Sequence, residues 1–217
     1  MEFREALEIV GEDPVFDTGL LLAGDVNPKD VRRQLSRWVS AGKLIQLRRG
    51  LYALAPPYRK TTPHPFLIAN RMVRGSYVSL QTALAYHGMI PEYVPTMTSV
   101  TTYRAGTFDT ALGTYAYHHI DDSLLFGHEL LDVGEGQHAY VASREKALLD
   151  LIYLEPGRDG LIALKGMRLH NLGHLDLDRL HDLAVRSGRP KLRRAVASVE
   201  QLVREEESYE TLPQPTP

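Results

Sequence analysis

The 217-residue sequence predicts an α+β protein, with an amino-terminal winged helix-turn-helix followed by a mixed α/β region that has a mainly antiparallel sheet and carboxy-terminal helices. Three observations lead there. Apolar residues recur at helical spacing in three successive segments before residue 42. Two short apolar runs joined by Arg48-Arg49-Gly50 follow at once. Beyond a proline-rich stretch come β-rich segments separated by glycines, and then renewed helical periodicity.

Phe3, Leu7 and Val10 share one face of a first helix, which Asp13-Pro14 ends. Asp17 is placed to cap a short second helix carrying Leu20, Leu21 and Leu22 and closing near Gly24. The third segment has the clearest boundaries. Asn27 is a good N-cap, Pro28 suits the first helical position, and Gly42 supplies a left-handed residue past the end, so the helix spans 28–41. Val31, Leu35, Trp38 and Val39 form a narrow apolar arc that must dock on the first two helices. The opposite face presents Lys29, Arg33, Ser36, Arg37 and Ser40, with Arg32 on its flank. Residues 44–47 and 51–54 then form a hairpin with Arg48 and Arg49 at its tip, and Pro56-Pro57 closes a domain at 1–57.

Four prolines between positions 56 and 65 mark a boundary, and a second domain is expected at 64–207. It opens with a helix at 66–73 and another, capped by Ser79, that runs through Leu80, Ala83 and Leu84 to Gly88. Segments 96–104, 113–120, 129–133 and 138–141 read as strands. Ser143 caps an apolar helix through Ala147, Leu148, Leu151 and Ile152, and two further helices fit 176–186 and 189–207. Residues 208–217, with three prolines, are expected to be a disordered tail.

The formal net charge of −2 conceals a division along the chain. Between Lys29 and Lys60 lie nine basic residues against one acid, Asp30, so that segment carries +8 and the remainder −10. A basic module attached to an acidic body has the sign needed to meet phosphates. In a winged helix-turn-helix the third helix enters the major groove and the wing touches backbone or minor groove. The charges lie on the two elements that this pose brings to DNA. Arg33 and Arg37, four apart, can reach guanine edges or clamp phosphate. Lys29, Arg32, Arg48 and Arg49 are assigned to phosphates, while Ser36 and Ser40 permit close approach. The expected partner is double-stranded DNA read as repeated half-sites, with a homodimer or paired binding on the duplex.

Other chemistries find less support. With no cysteine, disulfides, thiolate zinc sites and cysteine nucleophiles are excluded. No run approaches the roughly 20 apolar residues of a membrane helix, and the acidic amino terminus lacks signal-peptide features, so a cytoplasmic protein is expected. His118-His119 followed by Asp121-Asp122 suggests a metal site, but neighbours on a strand point to opposite faces and no third ligand is evident. Glu145-Lys146 with Asp132 lacks the carboxylate–x–lysine strand of metal-dependent nucleases. Gly75-Ser76 lacks the downstream paired aspartates of a nucleotidyltransferase. No triad or phosphate loop is present, and neither catalysis nor a cofactor is expected. Two alternatives stay open: a DNA-targeted nuclease or transferase with a site around His118, His119, Asp121 and Asp122, and a winged helix that contacts protein.

The order of segments resembles the AbiEi family of antitoxins, from type IV abortive-infection toxin-antitoxin systems, to about residue 205. Arg49-Gly50-Leu51-Tyr52 resembles the family's wing. The run Tyr77-Val78-Ser79-Leu80-Gln81-Thr82-Ala83-Leu84-Ala85-Tyr86-His87-Gly88 is similar to its central helix motif. Ala142-Ser143-Arg144-Glu145-Lys146-Ala147-Leu148-Leu149-Asp150 is similar to a later helix, with Ser143-Arg144 standing where many relatives have a proline. The resemblance implies a winged-helix repressor of its own operon whose second domain counteracts a nucleotidyltransferase-like toxin without a stable complex.

Overall fold

The computed structural model describes residues 1–210. Helix α1 (Phe3–Val10) is followed by strand β1 (Phe16–Asp17), helix α2 (Thr18–Leu21), helix α3 (Pro28–Ser40) and the hairpin β2 (Leu44–Arg48) and β3 (Leu51–Leu54). The strands form a small antiparallel sheet in the order β1-β3-β2. This is a winged-helix architecture. Ala6, Val10, Phe16, Leu21, Val31, Leu35, Trp38, Leu44, Tyr52 and Leu54 form its core.

The second region runs through α4 (Pro65–Met72), β4 (Tyr77–Val78), α5 (Leu80–Tyr86), β5 (Thr96–Thr101), β6 (Gly106–Thr110), β7 (Gly113–His119), β8 (His128–Gly134) and β9 (Gln137–Ala142). It ends with α6 (Arg144–Leu154), α7 (Leu161–Lys165), α8 (Leu177–Arg186) and α9 (Pro190–Glu210). Six strands make one mixed sheet, ordered β6-β7-β5-β4-β9-β8. Three neighbouring pairs are antiparallel, whereas β5/β7 and β4/β9 are parallel. The short strands β1 and β4, the exposed edge strand β6 and the one-turn helix α7 escaped the sequence reading. The expected tail starts as helix at 208–210, and 211–217 lie outside the described residues.

Two caps differ from expectation. Asp17 precedes α2 but makes no side-chain cap bond. Its Oδ2 accepts instead from Arg71 and Arg74, at 3.0 and 3.2 Å. A charge-assisted bond to guanidinium is stronger than one to a neutral amide, and a four-residue helix has little dipole to compete. Ser79 likewise gives its hydroxyl to Asp150, 2.8 Å away, and Thr98 Oγ1 takes over the cap by accepting from Thr82 N at 3.1 Å. The turn is tight enough to hold Leu80 at φ +58°, a left-handed conformation that costs a branched residue on the order of 1–3 kcal/mol. Ser143 caps α6 as expected, accepting from Lys146 N, and Asp176 caps α8 by accepting from Arg179 N.

The boundary at the prolines does not divide the core. Val15, Leu47, Leu51 and Ala53 are buried in the same cluster as the sheet and helices of the second region. The wing hairpin therefore faces two ways, with Leu44, Tyr52 and Leu54 against α3 and its neighbours and Leu47, Leu51 and Ala53 against the second region.

Candidate nucleic-acid interface

Helix α3 forms for local reasons. Asn27 Oδ1 accepts from Lys29 N at 2.9 Å, Pro28 occupies the first turn, and Gly42 at φ +68° follows the last. Val31, Leu35 and Trp38 are buried, and Phe3 meets the Trp38 ring edge-on at 5.2 Å. With one face fixed inward, 3.6-residue periodicity turns the other outward. Lys29, Arg32, Arg33, Ser36, Arg37 and Ser40 are all exposed, or nearly so, on that outer side. Arg33 Nη2 pairs with Asp30 Oδ1 at 2.9 Å, with both side chains more than half exposed. Such a surface pair is worth about 0–1 kcal/mol, so a phosphate or base edge can displace it. The Ser36 hydroxyl donates to the Arg32 carbonyl at 3.2 Å and keeps its lone pairs free to accept.

Between α3 and the wing lies a concavity of about 620 Å³. Arg32 and Ser36 approach it from the helix, Arg49 and Gln46 from the wing, and Thr18 from α2. Cations thus converge on one recess from two elements, which suits a phosphate group. The wing tip is fixed there. Thr18 donates to the Gly50 carbonyl through its backbone N–H at 2.9 Å and its hydroxyl at 3.3 Å, while Gly50 adopts φ +85°. Gln46 and Thr18 were not picked out from sequence, since neither carries charge nor lies on the outer face of α3, and the fold brings them to the recess.

Arg48 and Arg49 do not act as a pair. The register shifts between Gln46 and Arg48, so that Arg48 stands opposite Leu51 and shares its face. That face looks toward the second region. Arg48 is half-buried, its Nε is enclosed without a hydrogen-bond partner, and its charge is felt by the Tyr117 hydroxyl. Only Arg49 stands exposed at the tip.

In the second region His118, His119, Asp121 and Asp122 do not converge. His119 Nδ1 lies 3.0 Å from the Tyr103 carbonyl. Asp121 caps a short 3-10 turn through Ser123 and pairs with Arg189 at 2.9 Å, and these contacts hold its carboxyl below the usual range. Among the described residues no group of three or more His, Asp or Glu is arranged to hold a metal ion.

The sequence reading missed a polar network sealed in the core. Lys146 Nζ contacts Asp150 Oδ1 one turn along α6, while Asp150 Oδ2 accepts from Tyr77 OH at 3.0 Å and Ser79 Oγ at 2.8 Å. All four residues are at most 2% exposed. Burial pushes the Lys146 ammonium down from its ordinary value, against the pull of Asp150, and pushes the Tyr77 hydroxyl far up. The signal was a Lys and an Asp at i and i+4 within a helix whose other faces are also apolar. Tyr77 and Ser79 belong to one of the family-like segments, and Lys146 and Asp150 to another, so the two segments are bonded to each other inside the fold.

No family model matches this chain, and no curated protein matches it. Among solved structures it is similar to the crystal structure of the RV2827C protein from Mycobacterium tuberculosis. The TM-score is 0.52 at 18% identity, with 98% of this chain and 82% of that chain covered, a likeness of fold.

Proposed function

We propose that this chain is a sequence-specific DNA-binding repressor that occludes its own promoter and acts as the antitoxin to a nucleotidyltransferase-like toxin. The observation that carries the DNA-binding half is the outer face of α3, where Lys29, Arg32, Arg33, Arg37 and two serines lie exposed, with Arg49 across the recess. Arg33 and Arg37 take the groove, and Lys29, Arg32 and Arg49 take phosphates. Arg48, turned toward the second region, contributes through stability.

The test is binding to the chain's own upstream duplex against random duplex over roughly 50–200 mM salt. The expected result is specific binding that weakens steeply with salt. Arg33→Ala/Arg37→Ala should lower the log–log salt slope by up to about 2 and reduce affinity. Equal weak binding to both duplexes would leave a nonspecific tether or a protein-binding surface. The antitoxin half is supported by the three sequence segments that resemble the family. Co-expression with a neighbouring nucleotidyltransferase-like gene checks it, and unrelieved growth arrest would refute it.

A further inference from the structure

A cavity of about 320 Å³ lies between α4 and the β8–β9 edge of the sheet, away from the outer face of α3. Arg71 and Arg74 line it at the carboxy-terminal end of α4. Leu130 and Tyr140, 56% and 47% exposed, line it from β8 and β9. His128 and Tyr77, their rings stacked at 4.5 Å, complete the arrangement. Large apolar side chains left open to water inside a concave wall are costly unless something covers them. The charge is also unbalanced, because two guanidiniums share the single carboxylate of Asp17. Each gives one N–H to Asp17 and keeps further donors.

We propose that this cavity binds a small organic anion, an aromatic ring carrying one phosphate or carboxylate. The charged group meets Arg71 and Arg74, and the ring lies against Tyr140 and Leu130. The volume is near the lower end for small-molecule sites, roughly 300–1,000 Å³, which favours a single ring with one anionic group over a dinucleotide. Occupancy has a structural consequence. The anion competes with Asp17 for the same guanidiniums, and Asp17 adjoins Thr18, which pins the wing tip through the Gly50 carbonyl.

Calorimetric titration of the full chain with phenyl phosphate, and with inorganic phosphate as the comparison, tests this without DNA, so its outcome is independent of the DNA-binding reading. Phenyl phosphate should bind at least about tenfold more tightly than inorganic phosphate. Arg74→Ala, at an exposed side chain, and Leu130→Glu, at the rim, should each weaken it by about tenfold with an unchanged melting temperature. Asp17→Asn, which weakens the competitor, should tighten it several-fold. No binding up to roughly 10 mM, equal affinity for inorganic phosphate, or indifference to any of these three changes would overturn the proposal.

Discussion

Asp150 lies at the junction of three side chains in the core, and its energetics follow from what each would lose. Removing the carboxylate strands the Lys146 ammonium and two hydroxyls without an acceptor. Asp150→Ala should therefore cost about 3–5 kcal/mol in urea unfolding, whereas Lys146→Met/Asp150→Leu should recover part of that loss because no charge is left buried. A second residue-scale prediction concerns pH. His64, His87 and His128 all have pKa values lowered from 6.5, chiefly by burial, while the unfolded chain keeps the ordinary value. The unfolded state then binds more protons below that value, so stability is present above pH 6.5 and is lost as pH falls toward the folded-state values. The melting temperature should drop between about pH 7.5 and 5.5. His87→Gln, which removes one titrating ring while retaining a donor for the Ala142 carbonyl, should flatten the drop.

At the scale of elements, α3 was legible because its determinants are local: a cap, a proline, an apolar arc and a terminal glycine within sixteen residues, 27–42. Asn27→Ala should accordingly lower stability by about 1 kcal/mol with no change in fold, read from thermal unfolding. The wing was legible as a hairpin but not in its register. Strict alternation puts Arg48 on the face of Leu44 and Gln46, and the bulge carries it to the other face. The two arginines should separate in experiment. Arg49→Ala is expected to reduce the salt slope of DNA binding by about 1 with little effect on stability, and Arg48→Ala to destabilise the chain while leaving the slope unchanged. Strands of two residues, such as β1 and β4, contain no period to detect. Their positions are set by their neighbours, Tyr52 and Leu51 for β1, and Ser99, Val100 and Val141 for β4.

At the scale of the whole molecule, the hairpin is common property of both regions. Val15, Leu47, Leu51 and Ala53 would all be uncovered if the chain were cut after the prolines, and the two ion pairs of Asp17 would be lost as well. The intact protein should unfold in one cooperative calorimetric transition, and a fragment of residues 1–62 should melt at lower temperature and bind a hydrophobic dye. Two separate transitions, with the fragment matching the first, would show that the shared face contributes little.

The sequence by itself determined the order of the longer elements, the amphipathic faces and the surplus of positive charge between Lys29 and Lys60, because helix caps, turn residues and periodicity act over a few residues. It also determined that His118 and His119, adjacent on a strand, point to opposite faces, since strand alternation is a local rule. Tertiary structure alone decided which donors Asp17 would accept from, which acceptor Ser79 would meet, which way Arg48 would turn, and that Lys146 and Asp150 would be buried beneath Tyr77. The partners that settle these outcomes lie far along the chain, Arg71 and Arg74 for Asp17 and Tyr77 and Ser79 for Asp150, or on a neighbouring strand, as Leu51 does for Arg48, so the local rules of capping and periodicity do not reach them.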